Sequence, residues 1–343
     1  MTSRLRVAVV GAGRMGRHHA RIYSQLDSCE LVAVVDKNTE RAAELASLYG
    51  TVPCGRLSDL RGQLDAASVA VPTVYHGEVA IPLMERGVDV LVEKPLAPDS
   101  NSARQLLDAS RKCNRLLQVG HSERFNPVVR AMLRMEVTPR FIETTRVSPF
   151  TFRSADIGVV FDMMIHDIDI VLHLVKQRDY TIDAVGVSVL GATEDVANAR
   201  IRFGNETVAN LTASRLALKT ERKLRVFAPT AYLTMDYQKK SGVSIRLADN
   251  IDLIRMARER NFEDLSQMQN LDFGSMVRIE PLQVDDVEPL RAEIESFLDS
   301  VRTRATAAVS AEDGLAAVEM AEKITNAVRE QDWGRGLAQA VHT

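Results

Sequence analysis

The chain is expected to fold as an α/β protein in two parts. The first is a parallel sheet with helices on both faces; the second is an α+β domain on an open, mostly antiparallel sheet. Three observations predict this. Through residue 120, short apolar runs alternate with helix-periodic segments, the pattern of a parallel sheet covered on both faces. Beyond Gly120 the apolar residues switch to period two, the pattern of strands with one wet face. At 343 residues the chain also exceeds the size at which one hydrophobic core usually stays single. The expected units are residues 1–122 and 123–343, joined without a linker-like tract.

The buried strands expected in the first unit are Arg6–Val10, Leu31–Asp36, Ala67–Val71, Val88–Glu93 and Leu116–Gly120, each apolar on both faces. Helical periodicity marks Thr39–Tyr49, Glu78–Arg86 and Ser102–Arg111, the last with Asp99 and Ser100 as candidate caps. In the second unit one apolar helix spans roughly Gly158–Val175. Strands follow around Ala199–Phe203, Ala209–Ala213, Leu224–Ala228, Ala231–Tyr237 and Val243–Leu247. The charged stretch Ile251–Met276 carries no clear period. Helices at about Glu288–Arg302 and Glu312–Glu330 close the pattern.

Bulk properties narrow the function. Net charge is −3, with acids and bases interleaved, so the concentrated basic face that binds nucleic acid is not expected. No apolar run approaches a membrane span, and the N-terminal run Val7–Val10 is too short for a signal-peptide core. Cys29, Cys54 and Cys113 lie singly, with neither zinc spacing nor a disulfide framework. A cytoplasmic protein is the expectation.

Gly11-Ala-Gly-Arg-Met-Gly16 fits G-x-G-x-x-G directly after the first strand and opens a helix. Gly11 permits the tight turn, Gly13 lets backbone approach a pyrophosphate, and Gly16 allows close helix packing. The helix N-terminus, beginning at Arg14 and Met15, offers free N–H groups and positive dipole to phosphate. Asp36 ends the second strand, where a carboxylate accepts from ribose hydroxyls and repels a 2′-phosphate. That favours NAD, while Arg14 and Lys37 cut toward NADP.

Glu93-Lys94-Pro95 ends the fourth expected strand, at the edge where open parallel sheets bind ligands. A lysine there can hold a substrate hydroxyl and stabilise a developing alkoxide. On the apolar helix, Asp162, His166, Asp169 and His173 fall in a stripe about 60° wide at 100° per residue. Polar groups confined to one stripe of a buried helix are kept because they are paired or because they act. Asp162 and His166, at i and i+4, are expected to meet, the carboxylate orienting the imidazole as a general base. Asp167 lies off the stripe and is expected to be structural. A metal is not expected, since no cysteine or further histidine motif joins the set.

Taken together, Gly11–Gly16, Ala70-Val71-Pro72-Thr73 with His76, Glu93-Lys94-Pro95 and Asp162-x-x-x-His166 resemble the glucose–fructose oxidoreductase/inositol dehydrogenase (Gfo/Idh/MocA) family over essentially the whole chain. The resemblance implies NAD(P)-dependent oxidation or reduction at a sugar or cyclitol carbon. It implies cofactor contacts from the glycine loop, Asp36, Pro72, Thr73, Glu93 and Lys94. It further implies substrate and nicotinamide-ribose binding by Lys94, acid/base work by His166 assisted by Asp162, and a homodimer or homotetramer formed on the second sheet. Within the family, Val119–Pro127 and Asp162–Asp169 are similar to UDP-N-acetylglucosamine 3-dehydrogenases, whose 3-keto product passes to a PLP-dependent aminotransferase on the way to lipid A. A diphosphate substrate asks for arginine forks, for which Arg124 and Arg153 are candidates, and Asp169 is a candidate for the sugar. A cofactor-sensing regulator of the same family is the rival class; retention of Lys94, Asp162 and His166 argues for the enzyme.

Overall fold

The computed structural model describes residues 4–151, 157–190, 192–247 and 277–330. The stretch 251–276 and Arg153 therefore lie outside the described residues.

The first sheet has six parallel strands: β1 (Leu5–Val10), β2 (Cys29–Val35), β3 (Val52–Cys54), β4 (Ala66–Val69), β5 (Asp89–Glu93) and β6 (Leu117–Gly120). Their spatial order is β3-β2-β1-β4-β5-β6, so the order reverses beside β1 and opens a crevice at the strands' carboxyl ends. Four helices connect them: α1 (Arg14–Ser24), α2 (Thr39–Tyr49), α3 (His76–Glu85) and α4 (Ser100–Cys113). Asn38 caps α2 and Asp99 caps α4, each side chain accepting a first-turn N–H. The short edge strand β3 escapes sequence reading because Val52 and Pro53 are exposed and only Cys54 is buried.

The second sheet has eight strands: β7 (Phe141–Val147), β8 (Tyr180–Val187), β9 (Val196–Phe203), β10 (Val208–Ser214), β11 (Glu221–Ala228), β12 (Ala231–Asp236), β13 (Ser241–Leu247) and β14 (Val277–Pro281). Their order is β14-β13-β12-β11-β7-β10-β9-β8, and every pairing is antiparallel except β7 with β10. One face buries Ile142, Thr144, Ala199, Ile201, Leu211, Leu224 and Val226. Against it lies α6 (Ile165–Val175), preceded by one turn of π-helix, Val160–Met164, and by the short α5 (Pro127–Leu133). The expected single helix Gly158–Val175 is thus two segments of different pitch.

The chain ends by returning to the first sheet. Helix α7 (Pro289–Thr303), expected in the second unit, contributes Ile294, Phe297, Leu298 and Val301 to the core that holds Val7, Val9, Tyr23 and Leu91. Beyond it the chain runs beside β6, where Val119 N donates to Val309 O at 3.0 Å, and enters α8 (Ala311–Glu330). Among the described residues no helix is long and apolar enough to cross a membrane.

Candidate active site

The glycine loop takes the shape its residues demand. Gly11 has φ of 100°, and a Cβ there would lie 2.5 Å from Ala70 O, so only glycine fits. At Gly16 a Cβ would meet Gly11 O at 1.7 Å, which locks α1 against the loop. Around Gly13 nothing lies within 4 Å of a built Cβ. Gly13 is also the N-cap of α1 and has no side chain to occupy the first-turn N–H groups. That bare cradle is the geometry in which a pyrophosphate approaches backbone. Asp36 ties the loop to the end of β2, accepting from Ala12 N at 2.7 Å and Asn38 N at 2.8 Å. A cavity of about 680 Å³ opens here, lined by Gly11, Gly13, Arg14, Met15, Asp36 and Pro72, as well as Lys37, Arg41 and Arg56. The donor set and cradle fit a dinucleotide. Thr73 opens a 3-10 turn beside Pro72 and faces a neighbouring cavity.

At the end of β5, Glu93 is turned inward. It is buried and bonded to His19 Nε2 at 2.9 Å; His19 Nδ1 in turn reaches Ser68 Oγ at 2.8 Å. Burial pushes the Glu93 carboxyl up, but His19 and Lys94 outweigh it and hold the group below the usual carboxylate range. Glu93, expected to touch the cofactor, is engaged by His19 instead. Gly120 lets β6 come close: a Cβ there would lie 3.0 Å from Glu93 Cα.

Lys94 points the other way, toward the second unit. Its Nζ donates to Asp162 O at 2.8 Å and lies 3.7 Å from the Asp162 carboxylate. Burial lowers the ammonium below the ordinary lysine range, opposed by Asp162 and Glu93. The expected Asp162–His166 pair is therefore corrected. Asp162 lies in the π turn, where the wider pitch breaks the i, i+4 stacking that a regular α-helix would give, and its carboxylate goes to Lys94. Just before the π turn lies Gly158, where a Cβ would fall 2.0 Å from Glu194 Oε1, an oxygen that accepts from Val160 N.

His166 opens α6 half-buried, with Nδ1 buried and unpartnered among the described residues. Burial drives its pKa well below the ordinary imidazole value, and Lys94, Arg146 and His121 act in the same direction. The ring is neutral at neutral pH, the form that accepts a proton.

Two further expectations are corrected. Arg124 and Asp169, expected at the substrate, form a buried bidentate pair, Nε to Oδ2 at 2.8 Å and Nη2 to Oδ1 at 2.7 Å. Arg124 Nη1 goes to Ala308 O and Asp313, both at 3.2 Å. The fork is filled by the protein itself, because α6 passes within reach of the turn after β6. Asp167, off the expected stripe, holds Arg146 in the same bidentate way at 2.9 Å.

Residues that sequence reading missed complete the site. Arg146 on β7 and Arg222 on β11 are directly opposed across the strands, on the face toward α6. Arg146 is buried, whereas Arg222 is half-exposed and lies 3.6 Å from Glu123. His121, next after Gly120 at the end of β6, is buried beside His166. Its position immediately beyond a buried strand was the available signal.

Comparison with known proteins agrees with this architecture. A family model described as "Oxidoreductase family, NAD-binding Rossmann fold" matches residues 5–121, and one described as "GFO/IDH/MocA C-terminal domain" matches residues 131–234. The UDP-N-acetylglucosamine 3-dehydrogenase of Acidithiobacillus ferrooxidans is 36% identical over 234 residues, 68% of this chain and 74% of that protein. A solved structure of that enzyme superposes with a TM-score of 0.85 at 29% identity, covering 96% of this chain and 99% of its own. The inositol 2-dehydrogenase of Corynebacterium glutamicum is 29% identical over 195 residues, 53% of this chain and 58% of that protein. With its glycine cradle, its strand-end lysine and these matches, the chain belongs to the Gfo/Idh/MocA family of oxidoreductases.

Proposed function

We propose that the protein oxidises the C3 hydroxyl of UDP-N-acetylglucosamine to the 3-keto sugar nucleotide, with NAD as cofactor. The observation that carries the reading is the meeting of Lys94 and Asp162 beside a neutral His166 at the carboxyl edge of the first sheet. The likeness to the Acidithiobacillus ferrooxidans enzyme supports the substrate.

In this reading the bound dinucleotide supplies the hydride acceptor. The protein supplies the rest. His166, whose Nδ1 is buried, removes the hydroxyl proton at Nε2. Lys94 donates one hydrogen bond to Asp162 O and has N–H groups left for the substrate oxygen, lowering the cost of its negative charge. Asp162 steers Lys94 rather than His166. With Arg124 engaged, Arg222, a half-exposed cation on the inner face of the second sheet, is the group assigned to a substrate diphosphate.

The cations Arg14, Lys37, Arg41 and Arg56 line the cavity together with Asp36 and Glu78, and Asp36, at the end of β2, is the carboxylate that sets cofactor choice. Asp36→Ala is expected to narrow the NAD preference when kcat/KM is compared for NAD and NADP; an unchanged ratio would remove Asp36 from that role. The reading also carries a homodimer or homotetramer and an aminotransferase as pathway partner. On the outer face of the second sheet, Phe227 sits between Phe141 and Tyr232, with ring centroids 5.4 and 4.8 Å away, a surface suited to a second copy.

The test is NADH formation from NAD+ and UDP-N-acetylglucosamine, with an aminotransferase and glutamate present to drain the ketone. A 3-keto or 3-amino product by mass spectrometry supports the reading. Turnover only with other UDP-sugars, inositols or free sugars would overturn the substrate and leave the chemistry.

A further inference from the structure

The correction at Asp162 leaves open what fixes the tautomer of His166. A general base must present its lone pair to the substrate, so its other nitrogen must carry the proton and have somewhere to donate it. Asp162, turned to Lys94, is not that acceptor. The candidate is His121, 1% exposed and ring to ring with His166, with both ring nitrogens buried and unpartnered among the described residues, as is His166 Nδ1. Leaving three imidazole nitrogens buried and unbonded would be costly, and such groups are normally paired.

The spacing says how. The rings stand 87° apart in plane with centroids separated by 6.5 Å. A direct N–H···N bond of about 2.9 Å would bring centroids to roughly 5.2 Å. Two hydrogen bonds through one water span roughly 6.5–7 Å between centroids. One His121 nitrogen and His166 Nδ1 are two partners for such a water, the minimum that a buried water takes.

We propose that His121 is a positioning residue for the base, accepting the Nδ1–H of His166 through one bridging water and so keeping the Nε2 lone pair aimed at the substrate hydroxyl. The inference rests on His166 being the base. The surroundings keep both rings neutral, as the role requires. Around His166 stand Lys94, Arg146 and Arg222, and burial with these cations lowers its pKa. Around His121 stand Asp169, Arg124, Lys94 and Glu93; burial dominates and lowers its pKa as well.

Long-range 1H–15N spectra of the 15N-labelled protein, which has seven histidines, read the tautomer without substrate. The His166 signals are identified by their loss in His166→Ala. The expected result is a protonated Nδ1 and a bare Nε2 in the wild type. This preference is lost in His121→Phe and largely restored in His121→Gln, whose amide oxygen can accept from the same water. With NAD+ and UDP-N-acetylglucosamine, His121→Phe should lower kcat on the order of tenfold or more with KM unchanged, short of the loss on removing the base itself. A wild-type His166 protonated on Nε2, or a folded His121→Phe with unchanged tautomer, would overturn the proposal. The wild-type spectrum decides even if the phenylalanine variant fails to fold. Full turnover in His166→Ala is a different failure, that of the base assignment.

Discussion

His166→Ala is expected to lose on the order of 10²–10⁴ in kcat, the contribution of one positioned acid/base group. Cofactor binding should survive, because His166 lies on α6 and the cavity that fits the dinucleotide is lined from the first sheet. The pH profile carries the sharper signature. Only the neutral ring accepts the proton, so activity is present above the His166 pKa and falls below it. That pKa is lowered first by burial and next by Lys94. Oxidation should therefore persist as pH drops through the ordinary imidazole range near 6.5 and fail only at lower pH. Lys94→Met removes the cation that lowers the ring's pKa most, so the acid limb should move to higher pH even as the rate falls. Measuring kcat/KM against pH for wild type, His166→Ala and Lys94→Met checks all three. A near-normal rate in His166→Ala, or an acid limb that ignores Lys94, would sink the assignment.

The second large effect is on stability. Asp169→Ala leaves the Arg124 guanidinium, 7% exposed, without its bidentate partner. Breaking a buried pair from one side costs about 3–5 kcal/mol because the remaining charge stays desolvated. Asp313, 3.2 Å from Arg124 Nη1, partly compensates and puts the expected loss near the lower end of that range. Replacing both members, Arg124→Met with Asp169→Leu, should recover much of the loss, since Asp313 keeps Arg178 at 3.2 Å and neither member of the buried pair is left charged. Denaturant midpoints for Asp169→Ala and the double variant test this. Retained substrate KM in the folded Asp169→Ala protein separates the structural role from a substrate contact. A raised KM with no change in stability would return Arg124 and Asp169 to the substrate.

The fold was largely legible. Buried parallel strands show as continuous apolar runs, and α2 and the Asp99 cap of α4 follow from local chemistry. Elements missed include β7, although its burial alternates cleanly, and β14, as well as three with weak local signals. β3 has a single buried residue, β8 mixes buried and half-exposed positions, and α5 is only seven residues long.

By itself the sequence determined where chemistry can happen. Glycines with no alternative shape the loop at Gly11 and Gly16, Asp36 closes β2, Lys94 ends β5, and polar residues stripe an apolar helix. These are local properties, set by backbone sterics and periodicity. Only the tertiary structure decided which partner each polar side chain takes. A π turn of Val160–Met164 gives Asp162 to Lys94 instead of His166. The approach of α6 to the turn after β6 gives Asp169 to Arg124, and the β7–β11 pairing sets Arg146 against Arg222. The physical reason is that a charged side chain leaving water pairs with whichever complementary group packing brings within about 3–4 Å. That neighbour is fixed by how helices and strands cross, which no local pattern encodes.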